Sequence, residues 1–219
     1  HRRDVWSRSL WGGRESMAVG ASVALLATAV GLLLGLAAGL GRLVDPWIMR
    51  VMDGLMAVPG VLLAIALTAF MQPGVATVIV AIAVPEVPKV ARLVRSLALQ
   101  LREQPFVEAA RAAGTPLPRI VRRHILPHMA GPLVVQSTFI AAWAMLIEAT
   151  LSFLGVGLPA QVPSWGNMMA EGRAVVIVAP HIVLWPGLLV ALTVLSINLL
   201  GDGLRDALDP RQPSRKARP

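Results

Sequence analysis

The chain has 219 residues, 56% hydrophobic and only 15% charged, against about 25% charged in an average globular chain. Its uncharged runs reach the ~20 residues that cross a bilayer, so the reading is an all-α polytopic membrane protein; the short alternating segments of a transmembrane barrel are absent. There is no cysteine, which excludes disulfides, thiolate metal sites and cysteine nucleophiles. The net charge of +8 does not require nucleic acid, because the arginines lie beside apolar runs, where the positive-inside rule accounts for them.

The chain opens on His1 rather than Met and is expected to be a piece of a longer protein. Residues 1–16 carry Arg2, Arg3, Asp4, Arg8, Arg14 and Glu15, with Trp6 and Trp11 between. Tryptophan suits a membrane–water boundary, and so polar a start is no signal peptide. Met17 to Leu40 is the first span, uncharged and about 36 Å long. Gly31, Gly35 and Gly39 repeat every four residues along it, a stripe that lets another helix approach closely.

Residues 41–50, with Arg42, Asp45 and Arg50, read as a short loop broken by Pro46. Gly54 to Met71 is the second span, and Pro59-Gly60 should kink it. Asp53 at its start either lines a pathway or stands at a solvated helix end. After the turn Gln72-Pro73-Gly74, a third span begins near Val75 and runs past Glu86 into Lys89, Arg92 and Arg95. Glu86 and Lys89, three apart, can pair on one helix face.

Residues 104–127 form a polar island between apolar runs. Pro105 suits a first helical position, Glu108 the favourable end of the dipole, and Ala109, Ala110, Ala112 and Ala113 favour helix. Gly114 can close it, and Pro116 forbids continuation. Phe106, Ala109 or Ala110, and Ala113 share one flat apolar face, fit for a groove on another protein. Next come Arg119, Arg122, Arg123, His124 and His128. The two histidines have metal-pair spacing, but Pro127 intervenes and no third ligand is near, so no metal site is expected.

The fourth span opens at Met129, and Glu148 lies within its apolar run. So placed, an acid must face protein or water; it either serves a pathway or bonds neighbouring helix ends. Residues 156–182, broken by Pro159, Pro163 and Pro180, fit a folded external loop. Val183 to Leu200 is the fifth span, with Trp185 at its edge. Asp202, Arg205, Asp206, Asp209, Arg211, Arg215, Lys216 and Arg218 make a polar tail. The loops alternate in Lys and Arg: two in 41–50, none in 72–74, eight in 89–128, one in 156–182 and five in the tail. The 89–128 loop and the C-terminus are therefore cytoplasmic; the four arginines of residues 2–14 violate the pattern.

Glu108-Ala109-Ala110, Gly114 and Leu126-Pro127 have the spacing of the "EAA" loop and resemble it as found in the membrane subunits of bacterial ABC importers. His124 stands in the loop's Ile position, with Ile125 next, a one-place shift of an apolar contact. Arg3-Asp4, Ser7-Arg8, Gly12, Arg14 and Ser16 are similar to the pattern that opens the core of the family's peptide-importer branch. Glu148-Ala149, Ser152-Phe153-Leu154-Gly155 and Pro163-Ser164-Trp165-Gly166-Asn167-Met168 resemble that branch's second signature. The resemblance, to the dipeptide/oligopeptide/nickel branch, covers nearly the whole chain.

The resemblance implies a permease core with its first helix missing: an external segment 1–16, a transmembrane domain 17–201 holding a coupling loop 103–127 and an external gate loop 156–182, and a cytoplasmic tail 202–219. It implies ATPase coupling through Glu108, Ala109, Ala110, Gly114, Leu126 and Pro127, and a pathway or gate near Glu148 and Trp165. The implied partners are a second, homologous permease subunit forming a heterodimer with this one, two ATPase subunits, an extracytoplasmic binding protein and membrane lipid, in the bacterial or archaeal inner membrane. Di- or oligopeptides are the implied cargo, with nickel or another small solute as the alternative. The chain has no GxxxxGK[ST] phosphate loop and no HExxH or G-x-S-x-G motif. Catalytic residues and cofactors are therefore not expected in it, and ATP and Mg belong to the partner ATPases. Two rivals carry less. An intramembrane acid pair of Asp53 and Glu148 needs both at one depth, whereas the loop charges put them at opposite ends. A non-transporting scaffold has no need of the coupling pattern.

Overall fold

A computed structural model describes residues 5–208. Arg2, Arg3, Asp4, the side chain of Trp6 and the tail from Asp209, including Arg211, Arg215, Lys216 and Arg218, lie outside the described residues. The described chain is helical: α1 (Val5–Leu40), α2 (Asp45–Met56), α3 (Gly60–Phe70), α4 (Val75–Leu101), α5 (Pro105–Ala112), α6 (Leu117–Ile120), a π-turn (Val121–Ile125), α7 (Leu126–Phe153), α8 (Trp165–Gly172), a 3₁₀ turn (Arg173–Val175) and α9 (His181–Leu208). Three stretches are long and apolar enough to cross a membrane: Ser7–Leu40, Leu117–Phe153 and His181–Leu208. The pair α2–α3, bent by 90°, makes a fourth if it counts as one broken span. Helix α4 is long enough, but it carries Glu86, Lys89, Arg92 and Arg95.

Three boundaries differ from the sequence reading. Asp45 and Pro46 begin α2 instead of breaking a loop; proline's missing N–H costs nothing in a first turn, and Asp45 favours the positive end of the dipole. The expected kink at Pro59-Gly60 is a full break, with Pro59 extended (ψ 127°) and the chain turning sharply into α3. Residues 202–208, read as tail, continue α9. Helix α1 also runs unbroken from Val5 through the polar segment into the apolar one.

The glycine stripe of α1 is filled by α4. A Cβ on Gly31 would stand 2.5 Å from Val90 Cβ, one on Gly35 2.6 Å from the Ala91 carbonyl oxygen, and one on Gly39 2.6 Å from Ala98 Cβ. Nothing larger than hydrogen fits, so the two backbones touch and dispersion replaces side-chain interdigitation. On its other side α1 meets α7, where Gly20 abuts Met145 and Ala141 and Thr28 and Ser137 hydroxyls lie 2.8 Å apart. Helices α8 and α9 pack on α7. Leu184, Leu188, Leu192, Leu195 and Leu199 of α9 stay exposed, an apolar stripe suited to lipid or a neighbouring helix. One end of the bundle thus holds α5 and the carboxyl ends of α1 and α4; the other holds the start of α1, the end of α7 and α8.

Candidate functional site

At the first end, α5 is a short helix set off by an extended residue before it and a glycine closure after it. The extended Gln104 accepts from the N–H groups of Val107 (2.9 Å) and Glu108 (3.1 Å) through its carbonyl. Gly114 takes φ +77°; its N–H donates to the Arg111 carbonyl at 2.9 Å, and the Thr115 N–H to that of Ala110 at 3.0 Å. These are the paired bonds of a Schellman closure, which a residue with a Cβ forms only under strain. Val107 is wholly buried and anchors the helix. Glu108, Ala109, Arg111, Ala112 and Ala113 are exposed, while Ala110 is half-buried against the core.

Phe106 keeps an exposed edge on the open face and also stacks on His128, with ring centroids 5.0 Å apart and planes at 16°; it leans on His124 at 6.2 Å. The His128 Nδ1 lies 2.6 Å from the His124 carbonyl oxygen. Both rings are therefore engaged in holding α5 to the start of α7. The π-turn ahead of α7 widens the helix by one residue per turn. It leaves Ile125 fully buried and His124 only half so. Leu126 is half-buried and Pro127 exposed.

At the opposite end Glu148, with no exposed surface, stands 22 positions beyond Leu126, about 33 Å along α7. Its Oε2 accepts from Ser16 Oγ of α1 at 3.1 Å and its Oε1 from Ser152 Oγ at 2.9 Å. Ser16 Oγ in turn accepts from the Trp165 N–H (3.3 Å), and Ser152 Oγ from the Leu158 N–H (3.1 Å). Trp165 Nε1 donates to the Ser9 carbonyl at 2.8 Å, and a Cβ on Gly13 would strike the Trp165 ring at 2.6 Å. Arg8 closes the rim with a two-bond pair to Glu171, 2.9 and 3.0 Å. Ser164 caps α8 by accepting from the Asn167 N–H. Gly155 (φ +83°) closes α7 in the manner of Gly114.

The two signatures, more than a hundred residues apart, thus fold onto one buried carboxylate. Trp165 and Glu148 are both inside the protein and line no open surface here. Sequence reading passed over Asn167 as a clamp: its Nδ2 donates to the carbonyls of Pro159 and Val162 (2.9 Å each) and Leu158 (3.3 Å), gathering the loop. Nothing in its spacing signals that, because the acceptors are backbone groups.

Asp53 lies on the exposed side of α2 and pairs with Arg92 of α4 at 2.5 Å; Asp45 makes a two-bond pair with Arg95, 2.5 and 2.6 Å. Asp53 is not brought together with Glu148, which removes the acid-pair geometry. Glu86 and Lys89 do pair, at 2.6 Å, with Glu86 buried. Among the described residues no three possible metal ligands come together.

Residues 27–213 match the family described as "Binding-protein-dependent transport system inner membrane component". The chain is 53% identical to the "Probable peptide ABC transporter permease protein y4tQ" of Sinorhizobium fredii, over 98% of its own length and 74% of the relative's. It is 44% identical to the "Dipeptide transport system permease protein DppC" of Alkalihalophilus pseudofirmus (97% and 70%) and 45% to the "Glutathione transport system permease protein GsiD" of Pectobacterium atrosepticum (97% and 71%). Its fold is similar to a chain of the inward-facing MetNI methionine ABC transporter, with a TM-score of 0.78 at 20% identity over 95% of this chain and 100% of the other. The chain belongs to the binding-protein-dependent transport family of inner-membrane components, on its dipeptide/oligopeptide permease branch.

Proposed function

We propose that the chain forms half of the translocation pore of an ATP-driven importer of di- and oligopeptides, beside a second, homologous permease. A separate binding protein delivers the cargo, and two partner ATPases bind ATP and Mg and hydrolyse ATP. Relatives named for peptide, dipeptide and glutathione transport support a peptide cargo. The loop charges favour α5 and the C-terminus on the cytoplasmic side, the N-terminal segment and the α8 loop outside. In this reading α4 is a fifth span, its charges facing protein and pathway, and the α8 loop is the external gate.

The observation that carries the reading is α5. It is closed at its carboxyl end by Gly114, held by Val107 and the Phe106–His128 stack, and offers Glu108, Ala109, Ala112 and Ala113 outward. A small-residue face on a short rigid helix is what a groove on an ATPase can grip. Gly114 is the hinge; Leu126 and Pro127 carry the movement into α7. Ala109→Cys in this cysteine-free chain tests it, with a short bifunctional crosslinker in membranes. The expected product joins this chain to a P-loop ATPase, with a yield that changes on adding ATP. A folded, purified complex with no ATPase crosslink would overturn the proposal.

A further inference from the structure

The break between α2 and α3 faces a short cleft about 180 Å³ in volume. Pro59, Gly60 and Val61 line one side, Glu86 and Lys89 of α4 another, and Trp143 of α7 a third. Lys89 Nζ lies 2.6 Å from Glu86 Oε1 and 5.8 Å from the Trp143 ring centroid. Glu86 is buried, but Lys89 and Trp143 are each nearly half exposed.

Depth makes that exposure informative. Lys89 stands 14 residues after Val75, about 21 Å along α4, in a hydrocarbon layer about 30 Å thick. That leaves it about 9 Å from the far boundary, where a half-exposed ammonium is costly against lipid tails but reaches water readily. Its open side therefore faces water or a ligand. An ammonium carries three donors and Glu86 takes one. Opposite, α3 begins at Gly60, and Pro59 before it gives no side-chain cap, so the first-turn N–H groups lack intrahelical acceptors and present the positive end of the helix dipole. Interrupted helices in transport proteins direct such ends at anionic cargo. Two positive elements and an aromatic wall converge on one small space, while Glu86 keeps Lys89 in position.

We propose that this cleft is a carboxylate-recognition point on the translocation route, where Lys89 and the amino end of α3 take the C-terminal carboxylate of a passing peptide and Trp143 takes its last side chain. The assignment rests on the peptide-importer reading above. The cleft holds a terminal residue and no more, so contact is brief and the cargo is released.

The test uses Val58→Cys, at the exposed lip of the cleft, in membranes holding the complete transporter turning over ATP. Met56→Cys, on the same lip, is the second reporter should the first fail to assemble. The probes are the 2-carboxyethyl and 2-trimethylammonioethyl methanethiosulfonates, read as a mass shift of this chain and normalised to their rates with a free thiol. The carboxylate probe is expected to react about tenfold faster than the cationic one, as a single nearby charge in a partly screened site allows. Lys89→Gln should abolish the preference, and Lys89→Arg should keep it. A preference unchanged in Lys89→Gln, or no reaction at either reporter in an ATP-hydrolysing complex, overturns the proposal and leaves the importer reading standing. Failure of wild-type proteoliposomes to import any peptide sinks that reading instead, whatever the labelling shows.

Discussion

Helix α7 has one closed end and one open end. Around Glu148 each carboxylate oxygen accepts from a serine hydroxyl, each hydroxyl also accepts from a backbone N–H, and Trp165 seals the packing against Gly13. Within α5 only Val107 is fully buried, and a row of small residues faces outward. Buried polar networks hold one geometry because any departure strands a donor or an acceptor away from water. Exposed alanines have no such penalty and leave a surface for something else to define. One helix therefore joins a part of the molecule that is settled to a part completed by another chain.

The contrast can be broken at either end, and the closed end should respond most. Glu148→Ala strands Ser16 and Ser152 and opens a void, at a cost of about 3 kcal/mol. Thermal unfolding in detergent, followed by tryptophan fluorescence, should show a large drop, with Glu148→Gln recovering most of it. A Glu148→Ala protein as stable as the parent would mean that the carboxylate is not the organiser. At the open end Gly114→Val forces a β-branched residue to φ +77°, costing about 2 kcal/mol. It should abolish stimulation of ATP hydrolysis by cargo-loaded binding protein while membrane insertion is kept; normal transport would count against coupling through α5. Phe106→Ala removes the stack on His128, worth about 1 kcal/mol, and should raise hydrogen exchange in residues 105–113 with little change in unfolding temperature. Smallest is Asp45→Asn, which loosens the partly exposed pair with Arg95 by under ~1 kcal/mol. A shift as large as that of Glu148→Ala would place the organising centre at α2–α4 instead.

Local chemistry made α5 legible. Pro105 and Gly114 bracket it in the sequence, and the helix runs Pro105–Ala112. The Pro59-Gly60 break was visible for the same reason, since proline and glycine act on their own backbone. The size of the bend was not, because a proline sets where a helix stops and the packing of α3 on α4 sets where the chain goes next. Charge misled at both ends of the apolar runs: residues 5–16 and 202–208 are polar yet helical, for composition marks where lipid ends, not where hydrogen bonding does. The shell of Glu148 was beyond reach. Its acid stood out in an apolar run, but Ser16 lies 132 positions away, and only the crossing of α1 and α7 brings them together. Phe106 shows the same limit, because periodicity gave its face on α5 but not the histidine waiting there.

The glycines divide the chain into two kinds of position that a saturation scan would tell apart. At Gly114 and Gly155 the space around a new Cβ is empty and the backbone, with φ of +77° and +83°, does the refusing; asparagine, tolerant of that conformation, should pass. At Gly31, Gly35 and Gly39 the backbone is ordinary helix and the neighbour does the refusing, so asparagine should fail along with everything larger than hydrogen. Identical letters there obey opposite rules of exchange, one written in torsion and the other in volume.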